Sequence, residues 1–137
     1  MRSFLLCVIL LLHAIQGSAQ IKKENLIQPA ELAAILSDPL KPKPVIFNIG
    51  PVGDIEYSER GGTVSTEEGF KKFKILAGYH AKTEEIILYC GCCTLDNCPN
   101  IRLAFDYLVS AGFKNVKVLD LPVGLAEDWT SKGYPMK

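Results

Sequence analysis

The stretch Glu85-Ile86-Ile87-Leu88-Tyr89-Cys90, with the residues that follow it, decides the fold. Its apolar run is continuous rather than alternating and rich in β-branched residues, the pattern of a strand buried on both faces of a parallel sheet. Residues 91–99 read as a loop. Residues 100–111 read as a helix, with Ile101, Ala104, Phe105 and Leu108 on one face and Gly112 as its stop. A second apolar run, residues 116–119, reads as the next strand. Strand, loop, helix and strand in this order make a βαβ unit, so the chain is expected to be an α/β domain with a central, mainly parallel sheet.

The same alternation runs upstream. Pro29–Ser37 reads as a helix, with Pro29 in its first turn and Leu32, Ile35 and Leu36 on one face. Val45-Ile46-Phe47-Asn48-Ile49 is a buried strand bounded by Pro and Gly. Gly50-Pro51-Val52-Gly53 turns the chain, and the residues up to Thr63 read as loop. Ser65-x-x-Glu68 matches a capping box before a helix at residues 66–76, closed by Gly78. A short last helix, residues 125–131, carries Trp129, which reads as core. The sum is three strands between helices, a three-layer arrangement.

The N-terminus has a different character. Arg2 precedes the unbroken apolar run Phe4 to Leu12, and Gly17, Ser18 and Ala19 follow. A charged start, a short apolar stretch and small residues are the parts of a secretory signal peptide. Residues 1–19 are therefore expected to be a signal peptide and residues 20–137 the mature domain. Export to a bacterial periplasm or the medium follows. The apolar run is short for a membrane span; an uncleaved anchor is the alternative. Lys+Arg and Asp+Glu both number 15. Removing Arg2 leaves a slight acidic excess, which argues against a nucleic-acid partner.

Of five cysteines, Cys7 lies in the signal segment. The other four, Cys90, Cys92, Cys93 and Cys98, fall within nine residues. Such a cluster cannot join distant parts of a fold. Cys90 stands at the C-terminal end of a buried strand, where ligands of open parallel sheets bind, and just before a helix N-terminus. That place favours the thiolate, which is the nucleophilic form. Cys92, Cys93 and Cys98 are candidates to resolve a modified Cys90 by forming a disulfide, or to form a permanent loop disulfide. C-x-C-C-x4-C spacing also suits a soft metal, Cu(I) or zinc; the adjacent pair Cys92-Cys93 makes tetrahedral zinc awkward. Asn100 reads as a helix cap and His80 as a solvated loop residue.

Beside this reading, the sequence resembles the rhodanese family from about Gln28 to Lys137. The residues that carry the resemblance are Ile86-Ile87-Leu88-Tyr89-Cys90, then Arg102-Leu103-Ala104-Phe105-Asp106-Tyr107-Leu108, Gly112-Phe113-Lys114-Asn115-Val116, and Trp129 before Gly133-Tyr134-Pro135. The resemblance implies a three-layer rhodanese-like domain and sulfur transfer. Cys90 would be the catalytic residue, taking the outer sulfur of a small donor such as thiosulfate or a persulfide. A thiol or cyanide acceptor would then remove that sulfur from the Cys90 persulfide. Gly91, Cys92, Cys93, Thr94 and Arg102 would supply the anion-binding loop, with Arg102 as the nearby cation. The family's acidic-then-basic pair would fall near Asn48 and Gly50. Its loop after the cysteine is shorter and often includes an arginine, whereas residues 91–99 have none and include Asp96. No cofactor is implied; copper or zinc belongs to the alternative of a metal-binding or thiol-redox module.

Overall fold

The computed structural model describes residues 17–137; residues 1–16, which hold most of the expected signal peptide, lie outside the described residues. Five strands, β1 (Leu26–Ile27), β2 (Val45–Asn48), β3 (Ser58–Arg60), β4 (Glu85–Tyr89) and β5 (Asn115–Leu119), form one sheet in the order β1-β5-β4-β2-β3. Every strand pairs in parallel with its neighbours. Four α-helices accompany them: α1 (Pro29–Ser37), α2 (Glu67–Ala77), α3 (Pro99–Ser110) and α4 (Leu125–Asp128). The chain is thus an α/β domain, and its sheet is parallel throughout rather than mainly so.

Two strands were not foreseen. β1 has only two residues and β3 reads Ser-Glu-Arg, so neither carries an apolar run that marks a strand. Each lies at an edge of the sheet, held by pairing with β5 or β2. The helix N-terminus at α2 also differs. Thr66, not Ser65, is the cap, and its hydroxyl accepts the Gly69 N–H at 3.0 Å. Ser65 instead uses its backbone N–H elsewhere, as described below.

The layers follow from strand direction. From β1 the chain crosses through α1 to β2, moving one way along the sheet. From β3 it returns through α2 to β4 and through α3 to β5, moving the other way. Right-handed crossovers then place α1 on the opposite face from α2 and α3. Packing agrees. Phe47, Ile86, Leu88, Val116 and Val118 pack with Phe73, Ala104, Phe105 and Leu108 of α2 and α3. Ile46, Ile87 and Tyr89 pack with Leu32, Ala33 and Leu36 of α1 and with Leu125 and Trp129. Successive residues of β4 therefore serve opposite cores, which is why the strand is apolar without alternation. Trp129 is fully buried, as its sequence context implies, and its indole N–H donates to the Pro135 carbonyl at 3.1 Å.

The turn after β2 is fastened from below. Asn48, fully buried, donates from Nδ2 to the Val52 carbonyl at 2.9 Å and to Asp54 Oδ1 at 2.8 Å. Tyr89 donates its hydroxyl to the Gly53 carbonyl at 3.0 Å and accepts the Ile55 N–H at 2.9 Å. Burial holds the Tyr89 phenol above its ordinary pKa, so it remains a donor. Tyr89→Phe leaves that carbonyl and N–H without their partner. The expected cost is about 1–3 kcal/mol, read as a lower denaturant midpoint with an unchanged slope.

Candidate active site

β2 continues toward β3 at one edge of the sheet, while β4 continues through α3 toward β5 on the other side. Loops that leave adjacent strands in opposite directions open a crevice at the carboxyl ends, where such sheets bind ligands. Gly50 and Cys90 meet in that crevice. A Cβ placed on Gly50 would lie 2.5 Å from Cys90 Sγ and 2.9 Å from the Cys90 carbonyl oxygen. Only a residue without a side chain allows this approach, which explains why no charged group occupies the place after β2.

Cys90 follows the alternation of β4. Ile86 and Leu88 face the α2–α3 layer, and Cys90 joins the same core cluster, buried to 2% exposure. Three neighbours surround its sulfur. The Cys92 thiol lies at 3.0 Å, and Asn100 donates from Nδ2 at 3.4 Å. The Cys98 thiol and the Cys92 backbone N–H also act on it as donors that lower its pKa. These donors, led by Cys98, outweigh the cost of burial and lower the Cys90 pKa to about 5. The neighbours answer in the opposite sense. Partial burial of its thiol and its bonds to Cys90 and Cys93 push Cys92 up to about 12. Its bond to Cys90, then burial, raises Cys98 as well. One thiolate, on Cys90, is thus shared by protonated thiols around it.

Asn100 is the residue that sequence reasoning misplaced. It is not the cap of α3, which starts at Pro99 after Cys98. It lies inside the first turn, buried, and bridges two elements. Its Oδ1 accepts the Ser65 N–H at 2.7 Å while its Nδ2 faces Cys90. A polar residue straight after the helix-starting proline was the available signal; the inward direction of its side chain depends on how α3 packs.

The remaining loop residues fall into two groups. Gly91 adopts a left-handed backbone, φ +67°, and its carbonyl accepts the Leu125 N–H at 3.1 Å. A Cβ there would meet Leu125 Cβ at 2.8 Å. Cys93 is half-buried, its sulfur 3.5 Å from that of Cys92. Cys92 and Cys93 therefore converge, where their adjacency suggested divergence. Thr94 is exposed and its hydroxyl accepts from Asn97 Nδ2 at 3.2 Å, in a short 3-10 turn over Leu95–Asn97. Arg102 is exposed on α3; its backbone N–H bonds the Cys98 carbonyl. The groups bonded to Cys90 are all neutral: two thiols, a backbone amide and a side-chain amide.

The sulfurs of Cys90, Cys92 and Cys93 lie within 4.8 Å of one another. Three thiolates at such spacing suit Cu(I) better than zinc, which asks for a fourth ligand. Beside Cys90 there is also a cavity of about 10 Å³. Cys90, Gly91, Cys93, Leu95, Ile101 and Leu121 are among its walls. His80, read as a solvated loop residue, is largely covered. It contacts Glu59 at 3.1 Å and packs edge-on against Phe47, away from the cysteines.

Comparison with protein families, with characterised proteins and with solved structures returns no match. The site rests on its own geometry. That geometry fixes a pH dependence. Alkylation of Cys90 is expected to rise through pH about 5 and to be flat at neutral pH, because the thiolate form is already complete there. Asn100→Ala removes one neutral donor and moves the midpoint upward. Mass-resolved labelling with iodoacetamide across pH 4–9 reads both (pH values near those at which thiols titrate). A Cys90 midpoint near 9 in the parent chain would contradict the stabilised thiolate.

Proposed function

We propose that this chain is an exported sulfurtransferase with a rhodanese-type domain, carrying sulfane sulfur on Cys90. The observation that carries the reading is a buried thiolate at the C-terminal end of a central parallel strand, cradled by hydrogen-bond donors and pressed against the Gly50 backbone. The resemblance in Ile86–Cys90, in Arg102–Leu108 and around Trp129 supports the same reading.

The chemistry has two steps. The Cys90 thiolate attacks the outer sulfur of a donor R–S–S–H, forming the Cys90 persulfide and expelling R–S⁻. An acceptor thiolate or cyanide then attacks the outer sulfur and regenerates the Cys90 thiolate. The neutral surroundings bear on donor choice. Thiosulfate brings a doubly negative charge to a thiolate whose described partners include no cation, and Asp96 lies exposed in the same loop. Persulfides and polysulfides, with less charge, suit the site better. The cavity beside Cys90, about 10 Å³, is too small for a sulfonate unless the loop moves. The partners are thus a small sulfur donor and a thiol acceptor. No described helix is long and apolar enough to cross a membrane.

A second reading is a Cu(I)-binding module, favoured by the convergence of the Cys90, Cys92 and Cys93 sulfurs. Metal analysis of protein purified under reducing conditions separates the two.

The test of sulfur transfer is intact mass of the reduced chain residues 20–137 after brief exposure to polysulfide, quenched at once, then cyanide. The parent chain gains one sulfur that cyanide removes. Cys90→Ser gains none while keeping its fold by circular dichroism. Polysulfide loads faster than thiosulfate by about tenfold or more, the size expected when a charge is not neutralised. Loading of Cys90→Ser equal to that of the parent would remove Cys90 from the mechanism.

A further inference from the structure

Cys92 sits too close to Cys90 to be a bystander. Its sulfur is 3.0 Å from the Cys90 sulfur, within the 3–3.5 Å range of reacting atoms held for attack. Cys93 is further along the same chain of sulfurs, 3.5 Å beyond Cys92. Gly91, the residue between Cys90 and Cys92, has φ +67° and no side chain, and this bend turns the two thiols toward each other. Closing from 3.0 Å to the ~2.05 Å of a disulfide needs a movement of only about 1 Å. Cys92 is also the exposed member of the pair, while Cys90 is buried.

We infer that Cys92 is the resolving thiol of a persulfide reductase: it displaces the sulfur carried by Cys90 as sulfide and leaves a Cys90–Cys92 disulfide. The inference rests on the Cys90 persulfide proposed above and changes its fate from transfer to release.

The step balances. Cys92 Sγ attacks the inner sulfur, Cys90 Sγ. The Cys90–Cys92 bond forms and the bond from Cys90 to the outer sulfur breaks. Cys92 gives up its proton to solvent water as it attacks, and the departing sulfur of the ionised persulfide takes one from water and leaves as HS⁻. The two cysteine sulfurs are oxidised to a disulfide and the sulfane sulfur is reduced to sulfide. A second turnover needs an external dithiol or thiol that reduces the disulfide, as its exposed Cys92 sulfur permits. The small cavity beside Cys90 has Cys93 but not Cys92 in its walls, and the outer sulfur would enter it as the loop relaxes.

The structure also separates the roles of the other two cysteines. Cys98 is buried and is the leading influence that lowers the Cys90 pKa, so it stabilises that sulfur as the thiolate. The Cys93 sulfur is 3.5 Å from that of Cys92 and within 4.8 Å of that of Cys90.

The deciding experiment loads the reduced chain, residues 20–137, with polysulfide and desalts it. Intact mass and released sulfide are then followed without added thiol. The parent chain is expected to lose its extra sulfur, release one equivalent of sulfide and end two hydrogens lighter than the reduced form, with peptide mapping joining Cys90 to Cys92. Cys92→Ser is expected to gain the same sulfur and hold it, releasing sulfide slower by on the order of 100-fold or more. Cys93→Ser, which alters the cavity wall, is expected still to end as the Cys90–Cys92 disulfide, whatever its rate, because Cys93 is not the attacking thiol. A persulfide equally long-lived in the parent and in Cys92→Ser would overturn the inference while leaving the Cys90 carrier intact. Release lost in Cys93→Ser but kept in Cys92→Ser would overturn it in favour of Cys93. If the parent and Cys92→Ser both fail to gain sulfur, the carrier reading fails, and the inference falls with it.

Discussion

The parallel pairing of β2 with β4 is the constraint on which the rest depends. Asn48 lies opposite Tyr89, and the Ile49 N–H continues the ladder to the Tyr89 carbonyl at 3.0 Å. This register sets Tyr89 into the α1 core and Cys90 into the α2–α3 core, because neighbouring side chains on a strand point to opposite faces. A slip of one residue would exchange the two. The same register brings Gly50 against Cys90 and lets Asn48 and Tyr89 grip one turn from both strands, through Val52, Asp54, Gly53 and Ile55. Backbone pairing, the position of the thiol and the shape of the turn over it are therefore one decision.

The electrostatics follow from burial. A thiolate taken out of water is costly unless donors replace the lost hydration. Here the donors are uncharged. They stabilise the anion by hydrogen bonding without drawing other anions in from solution, as a cation would. The Cys90 thiolate is thus made available without an electrostatic funnel toward small dianions. The coupling with Cys92 and Cys98 has a second consequence. Because Cys90 holds the negative charge, its two partners stay protonated and remain donors. If Cys90 is modified, that charge leaves its sulfur, and the hydrogen bonds that depended on it must rearrange. The chemical state of one cysteine is therefore felt by the others at once.

The parts of this arrangement that a sequence displays are those with a local signature. β4 is legible because both of its faces are buried and its run is unbroken. α1 is legible because proline opens it, and both α1 and α3 are legible because apolar residues recur at helical spacing. Cys90 is legible as the residue at the strand's end. β1 and β3 leave no such trace, since two or three residues paired at an edge need no apolar face of their own. Asn100 looks like a cap because Asn often caps, and only the approach of residue 65 from another element turns its side chain inward to Cys90. The close contact at Gly50 is invisible for the same reason: it joins residues 40 positions apart, and one glycine among 11 carries no mark of it. Thr94 and Arg102 stand near the cysteines in sequence, yet one turns into its own 3-10 turn and the other projects from α3.

The C-terminal segment shows how far the site reaches. Leu125 donates its backbone N–H to Gly91, and Asp128 accepts the Val123 and Gly124 N–H groups at 2.7 and 2.8 Å, fixing the turn that delivers Leu125. Trp129 and Glu56 both donate to the Pro135 carbonyl, and the Lys137 N–H donates to the Asp54 carbonyl. The last residues therefore bind both the turn after β2 and, through α4, the loop after β4. These are the two walls that enclose Cys90. Trp129 and the Gly133-Tyr134-Pro135 close touch no sulfur, but they set the distance between those walls. A site with a cavity of about 10 Å³ tolerates little change in that distance. The buried tryptophan and the proline it holds are thus part of what keeps Cys90 both enclosed and reachable.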